Sequence, residues 1–479
     1  GHAGRPSLGG CVPSRRSSHA LRHNAIALSV AGMTYPFRVP VTPEHAAPLP
    51  DAVDLAVIGG GIIGLSTAIF AARKGLRVVL LEKGRLGAEQ SSRNWGWIRV
   101  QGRDEAEIPI ALEAQDRWAA FDADCGGTLG LNQVGVTYIA RSQAALDDYE
   151  AWLQVARPYG VSSRILDREA LIALMGTSDP AWRGALHTPT DMVGEPWVAV
   201  PELGRLAARE GVIIREDTAV RGLEITAGTV SGVVTEAGRV AAPKVVLAGG
   251  AWSSLFLRRH GVAIPQLSVR SSIFATGPVQ QGVGTAVADM GFAIRPRADG
   301  GYSVAPSGYS ELFLGPDAFR NLKKYIRTAF WAGREVRLRL GAPSGFPDAW
   351  RTPRRWGMED QTPFERMRIL NPSPDRRKLA AVKTRAGGVV PELAGSGEQA
   401  AWAGMIDVMP DLVPIVDHVP DLPGLILGTG MSGHGFGIGP AFGRILADLA
   451  VGDDPGHDLH RFRFDRFRDG SPTRLGPHI

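Results

Sequence analysis

The clearest hydrophobic pattern in the chain begins at Asp54. DLAVIGG (54–60) is a short apolar, partly β-branched run ending in glycine, as expected of a strand buried on both faces. GLSTAIFAARKG (64–75) has helical composition and spacing and stops at a glycine. LRVVLLEKG (76–84) is a second buried strand, ending in Glu82. The spacing predicts strand, glycine turn, helix and parallel strand.

Further along, the pattern turns to mixed helices and loops from Gln101 to about Trp197, including EIPIALEAQDRWAAF and LDREALIALMG. Strand-like pieces return in GVIIREDTAVRGLEI and GVVTEAGRVAAPKVVLAGGAWS, and KVVLAGGA is predicted to rejoin the first sheet. A second mixed region runs from Pro265 to about Gln399. LPGLILGTGMSGHGFGIGPAFGRILADLAVG comes next, a glycine-rich stretch leading into a helix. No internal repeat is visible. The predicted fold is α/β. Segments 51–100, 198–264 and 400–455 form a Rossmann-like nucleotide domain; 101–197 and 265–399 form an interleaved α+β second domain based on an antiparallel sheet. Residues 456–479 form a tail, and 1–50 a leader.

Gly59-x-Gly61-x-x-Gly64 falls at the strand-to-helix turn. The first glycine permits the turn, the second lets backbone approach a pyrophosphate, and the third lets helix and strand pack closely. The helix N-terminus turns free N–H groups and partial positive charge toward the phosphates. Glu82 lies 18 residues beyond Gly64, where a carboxylate can accept from a ribose diol. This context, more than the glycines alone, points to a dinucleotide.

Composition narrows the classes. With 44% hydrophobic and 21% charged residues, the 479-residue chain is globular. A net charge of +5 with dispersed basic residues argues against nucleic acid as partner. Cys11 and Cys125 are the two cysteines; neither sits in a CxxC or Cys/His cluster, so no metal site is expected. Residues 1–43 hold five arginines and no acid. They read as a targeting segment or, more simply, as translated leader before a native start at Met33. The uncharged run 55–72 is interrupted by three consecutive glycines, so no membrane span is expected. The expected compartment is the cytoplasm, with peripheral membrane contact left open.

VIGGGIIGLSTA, VVLAGGAWS and GTGMSGHGFGIGPAFGRILADL occur in the order found in the D-amino acid oxidase, glycine oxidase and sarcosine oxidase (DAO) family. The chain resembles that family from about Asp51 to Gly452. The resemblance implies FAD, held on Gly59, Gly61, Ile63, Gly64, Glu82 and Lys83 and covered by SSRNWGW. That loop supplies Ser91, Ser92, Arg93, Asn94, Trp95, Gly96 and Trp97. Val220, Ala248, Gly249 and Trp252 come from the middle segment, and Gly430, Gly433, His434, Gly435, Phe436 and Gly437 from the C-terminal one. Either tryptophan could wall the flavin or the substrate pocket; both could instead anchor the second domain. His434 reads equally as a flavin contact or as a hydrogen-bonded turn residue.

The implied chemistry is C–N oxidation: a neutral amine passes a hydride to flavin N5, and the imine hydrolyses. With no cysteine near GGYSVAPSGY and no histidine in the opening loop, the expected FAD is noncovalent. A catalytically silent FAD-binding partner protein on the same fold is the rival class. The electron acceptor is oxygen or a quinone or electron-transfer protein. FRNLKKYIRTAFWAGREVRLRL (319–340), basic with interleaved aromatics, is either a helix that docks on anionic lipid or on an acidic electron-transfer partner, or an ordinary solvated face. Departures from the family set the substrate class. Ile406, in WAGMID, stands where glycine and D-amino acid oxidases carry a carboxylate-binding arginine, and Gly437 stands where sarcosine oxidases carry a lysine. Asp407 is expected either to face a cationic amine or to cap a turn or pair with a nearby arginine, and Arg99 to clamp a carboxylate. The expected catalytic group is Arg99, His434, Asp407 and Trp97, acting on an amine or a secondary or cyclic amino acid. A primary D-amino acid is the alternative.

Overall fold

The computed structural model describes residues 42–280 and 282–477. The leader expected before Met33, and Met33 itself, lie outside these residues. The end of the segment assigned to the leader is bound to the body: Ala46 bridges Arg215, and the Glu44 amide donates to Glu216 at 2.7 Å.

Two sheets organise the chain. The first has six strands, in the order 415–418, 425–429, 244–247, 55–58, 78–81, 213–215. All neighbours run parallel except the outermost pair, 415–418 with 425–429. KVVL (244–247) pairs in parallel with LAVI (55–58), so the middle of the chain does rejoin the first sheet. Alternation along 55–58 sends residues to two cores. Leu55 and Val57 pack under the helices Ile62–Arg73 and Gly435–Val451. Ala56 and Ile58 meet a three-stranded antiparallel sheet (220–226, 229–235, 238–241) on the other face. Both faces are thus covered, which is why these strands read as unbroken apolar runs.

The second sheet has ten strands and is mixed. Two of its pairs are parallel, 136–140 with 286–289 and 310–313 with 336–339; the others are antiparallel. Its long central strand, 267–276, pairs along its length with Glu398–Val408. Two segments pack away from the domain expected for them. Residues 400–408 belong to this second sheet, and only the end of the strand reaches the first. Helix Ile108–Asp124 leans on the first sheet's helix 435–451, because burying Trp118, Phe121 and Ile110 there completes that core. No helix among the described residues is long and apolar enough to cross a membrane.

Candidate functional site

The Gly59–Gly64 turn leaves strand 55–58 beside Ala248. Gly59 has φ +110°, and a Cβ there would stand 2.4 Å from the Ala248 carbonyl oxygen; at Gly64 it would stand 1.9 Å from the Gly59 oxygen. No other residue fits at either position. Gly61 is the N-cap of helix 62–73, and Ser91 Oγ accepts from the Ile62 amide at 3.0 Å. Glu82 accepts from the Gly60 amide at 2.8 Å and from Gly84 at 2.7 Å, and burial pushes its carboxyl above the usual range.

These residues open into one cavity. Gly59, Gly61, Ile63, Glu82, Lys83, Ser91 and Asn94 line its first part, Val220, Ala248, Gly249 and Trp252 its middle, and Asp407, Gly433, Gly435 and Phe436 its far end. Lys83 lies 4.4 Å from the centre of the Trp252 ring and pairs with Glu89, which also accepts from the indole N–H. Arg85, Gln90, Phe364, Met405 and Met431 line the cavity too and were not singled out from the sequence. Gln90 was within reach, next to Ser91. Phe364 comes from a remote short turn with no local signal. Glycine-rich floor, capped helix start and ribose-side acid fit an FAD, with the helix 435–451 N-terminus at the end where a flavin ring would lie.

Other expected residues stand behind this lining. Ser92 Oγ donates to the Pro196 carbonyl; Arg93 is a buried strut to Ala88, Asn371 and Ala403. Neither faces the cavity, because each satisfies backbone groups that the loop would otherwise bury unpaired. Trp95 and Trp97 stack edge to face, with centroids 5.3 Å apart. Trp97 packs among Val136, Val193, Ala286 and Ala293, as a core anchor would, while Gly96 lies against Arg295. Gly430 is pressed on Met409.

Asp407 also sits differently from a free counter-ion. Its Oδ2 accepts from the Gly430 amide at 2.7 Å, the Met431 amide at 3.3 Å and Thr429 Oγ1 at 3.4 Å. The carboxylate ties the second sheet to the glycine loop before helix 435–451, the turn-capping alternative. Ile406 touches the same loop at Gly433. Arg99 donates to the Gln101 carbonyl and lies 5.4 Å from the Tyr138 ring centre. His434 Nδ1 is 3.3 Å from Glu107 Oε2, and burial, with the Arg103 guanidinium, pushes the imidazole down to about 4. Among the described residues no group of His, Cys, Asp and Glu is arranged to hold a metal ion.

A family model for FAD dependent oxidoreductases (DAO) matches residues 54–449. The chain belongs to the DAO family. Similar members include glycine oxidase from Pseudomonas aeruginosa, 26% identical over 84% of this chain and 95% of that one. The mitochondrial sarcosine dehydrogenase of Homo sapiens is 23% identical over 88% of this chain but only 42% of its own length. The chain therefore spans under half of that DAO relative. Among solved DAO-fold structures, L-amino acid deaminase from Proteus myxofaciens in complex with anthranilate superposes with a TM-score of 0.85 at 29% identity, covering 90% of this chain and 97% of that one.

Proposed function

We propose that this chain is an FAD-dependent oxidoreductase that oxidises the C–N bond of an amine or of a secondary or cyclic amino acid. The observation that carries the reading is the continuous cavity from the Gly59 turn to the start of helix 435–451. Bound FAD would take the α-carbon hydride, leaving an imine that hydrolyses. The chain's own part is to hold the cofactor through backbone amides and the helix start, to exclude water with Met405, Met431 and Phe436, and to orient the amine. No cysteine lines the cavity, which supports noncovalent binding.

Both departures in the substrate region have a spatial correlate. Ile406 puts a branched apolar side chain against Gly433, and a Cβ at Gly437 would sit 3.0 Å from the Trp97 carbonyl oxygen. Neither position offers an anchor for a small carboxylate, and Arg99, the remaining candidate clamp, stands outside the cavity lining. A second reading, a primary L-α-amino acid, draws support from the likeness to the deaminase. An assay of sarcosine, L-proline, L-phenylalanine, D-alanine and glycine decides. Sarcosine or L-proline leading by about tenfold supports the first reading, and L-phenylalanine leading supports the second. D-alanine or glycine leading refutes both.

For the electron acceptor, the reading favours a membrane-resident quinone reached by peripheral docking, with oxygen as the alternative. Phe319, Leu322, Ile326 and Phe330 are exposed along 316–332, Phe330 by 85%, beside Lys323 and Arg327. The inner side of the same helix is anchored by Tyr325, whose hydroxyl donates to the Pro265 and Val408 carbonyls. An apolar ridge flanked by cations suits an anionic lipid surface.

A further inference from the structure

Amines arrive in water as ammonium ions, whereas hydride loss requires the free nitrogen lone pair. The proton balance rests on the amine-oxidation reading, under which one proton must leave a largely apolar cavity at every turnover. The residues that do this are not among those that line the cavity.

At the start of helix 435–451, His434 is the histidine of the glycine loop, and 21% of its side chain stays exposed while that of Glu107 is fully buried. Their atoms approach to 3.3 Å. Both Glu107 carboxylate oxygens, Arg103 Nη1 and His434 Nδ1 are buried without a hydrogen-bond partner. Polar atoms in this state are destabilising unless water bridges them. Several of them converging is what an internal water needs. Behind them, Arg103 forms part of the wall of a surface cavity with Asp104, Glu105, Trp152, Tyr159 and Arg461. Arg103 is thus the residue shared by the buried pair and the wall of the outer cavity.

We propose that His434 and Glu107 form the proton exit of this site. The substrate N–H bond breaks with its electron pair left on nitrogen, and the proton bonds to His434 Nε2. His434 releases its Nδ1 proton to Glu107, and waters along Arg103 carry it to the outer cavity. The charged groups that act on the pair are Arg99 and Arg103; Tyr138 and Asp191 act on Arg103 in turn. Although burial pushes the Glu107 carboxyl up, His434 and the two guanidiniums hold it below the usual range. At neutral pH the pair is therefore a carboxylate beside a neutral imidazole, able to accept a proton and too weak a base to keep it. His434 is the group nearer the cavity, between the lining residues Gly433 and Gly435; Glu107 acts through it.

The test is E107Q in the FAD-loaded enzyme, with E107D as the conservative variant. The pH profile of kcat/KM is measured on whichever of sarcosine, L-proline and L-phenylalanine reacts. The expected result is a loss of about tenfold or more at pH 7, partly restored in E107D, that closes as pH rises and the amine arrives already deprotonated. Nitrogen NMR of the apoprotein supplies a readout independent of turnover: His434 carries its proton on Nδ1 in the wild type and becomes a tautomer mixture in E107Q. If E107Q does not fold, H434Q reads the same profile from the inner end. A variant-to-wild-type ratio that stays constant across pH, or an unchanged His434 tautomer, overturns the proton exit. Failure of every substrate at every pH instead refutes the amine-oxidation reading.

Discussion

Gly437 in helix 435–451 lies directly against the backbone of Trp97, so that a Cβ on it would stand 3.0 Å from the Trp97 oxygen and 3.3 Å from the Ile98 α-carbon. The covering loop and the helix that closes the cavity therefore meet main chain to main chain. Any side chain in this position, a lysine included, requires strand 97–98 to shift by some tenths of an ångström.

Gly437→Lys should destabilise the protein by about 1–3 kcal/mol through overpacking. Gly437→Ala should cost much less, since about 1 kcal/mol of regained helix propensity offsets a contact that needs a shift of tenths of an ångström. Thermal denaturation with and without FAD checks the order. Equal midpoints for wild type and the lysine variant would remove the steric argument.

Asp191 is fully buried and accepts from the Val100 and Gln101 amides at 2.8 and 3.2 Å and from Gln115 Nε2 at 2.9 Å. Burial nevertheless pushes its carboxyl up to about 6, from 3.8. The folded state thus holds this proton more tightly than the unfolded state. Its contribution to stability is present below about pH 3.8 and is lost as pH rises through about 6, on the order of 3 kcal/mol. Asp191→Asn should remove that part of the pH dependence. Chemical denaturation at pH 4 and pH 7 for both proteins measures it, and parallel curves would contradict the assignment.

Noncovalent binding predicts that acid precipitation of the holoprotein leaves yellow FAD in the supernatant. Colour retained in the pellet means a covalent bond.

The exposed ridge predicts binding to phosphatidylglycerol vesicles at low salt and little binding to phosphatidylcholine. With about 1 kcal/mol for each basic residue near the surface, the double variant K323E/F330E should bind at least about fivefold more weakly. Equal co-sedimentation of variant and wild type would leave the helix as an ordinary solvated face.

What could be read from sequence tracks how local each interaction is. The Gly59–Gly64 turn, Glu82 and strand 244–247 were legible because apolar runs ending in glycine carry their own geometry. Strand 267–276 was not. Its middle, VRSS, is polar, and Arg270 is made tolerable by Glu311, which lies far off in sequence. Asp407 reads alike as counter-ion or brace until Gly430 is brought to its side. Glu107 sits in RDEAEIPIAL, where it looks like one more exposed acid at a helix start; only the return of His434 from the C-terminal segment reveals its partner.

The central claim is that the FAD cavity carries out C–N oxidation, and anaerobic mixing of the holoprotein with sarcosine, L-proline and L-phenylalanine tests it most directly. At least one amine should bleach the yellow flavin absorbance completely, with one equivalent of carbonyl product per flavin after hydrolysis. A flavin that stays oxidised with all of them at saturating concentration, while dithionite still reduces it, would contradict the claim and leave an FAD-binding protein without this catalysis.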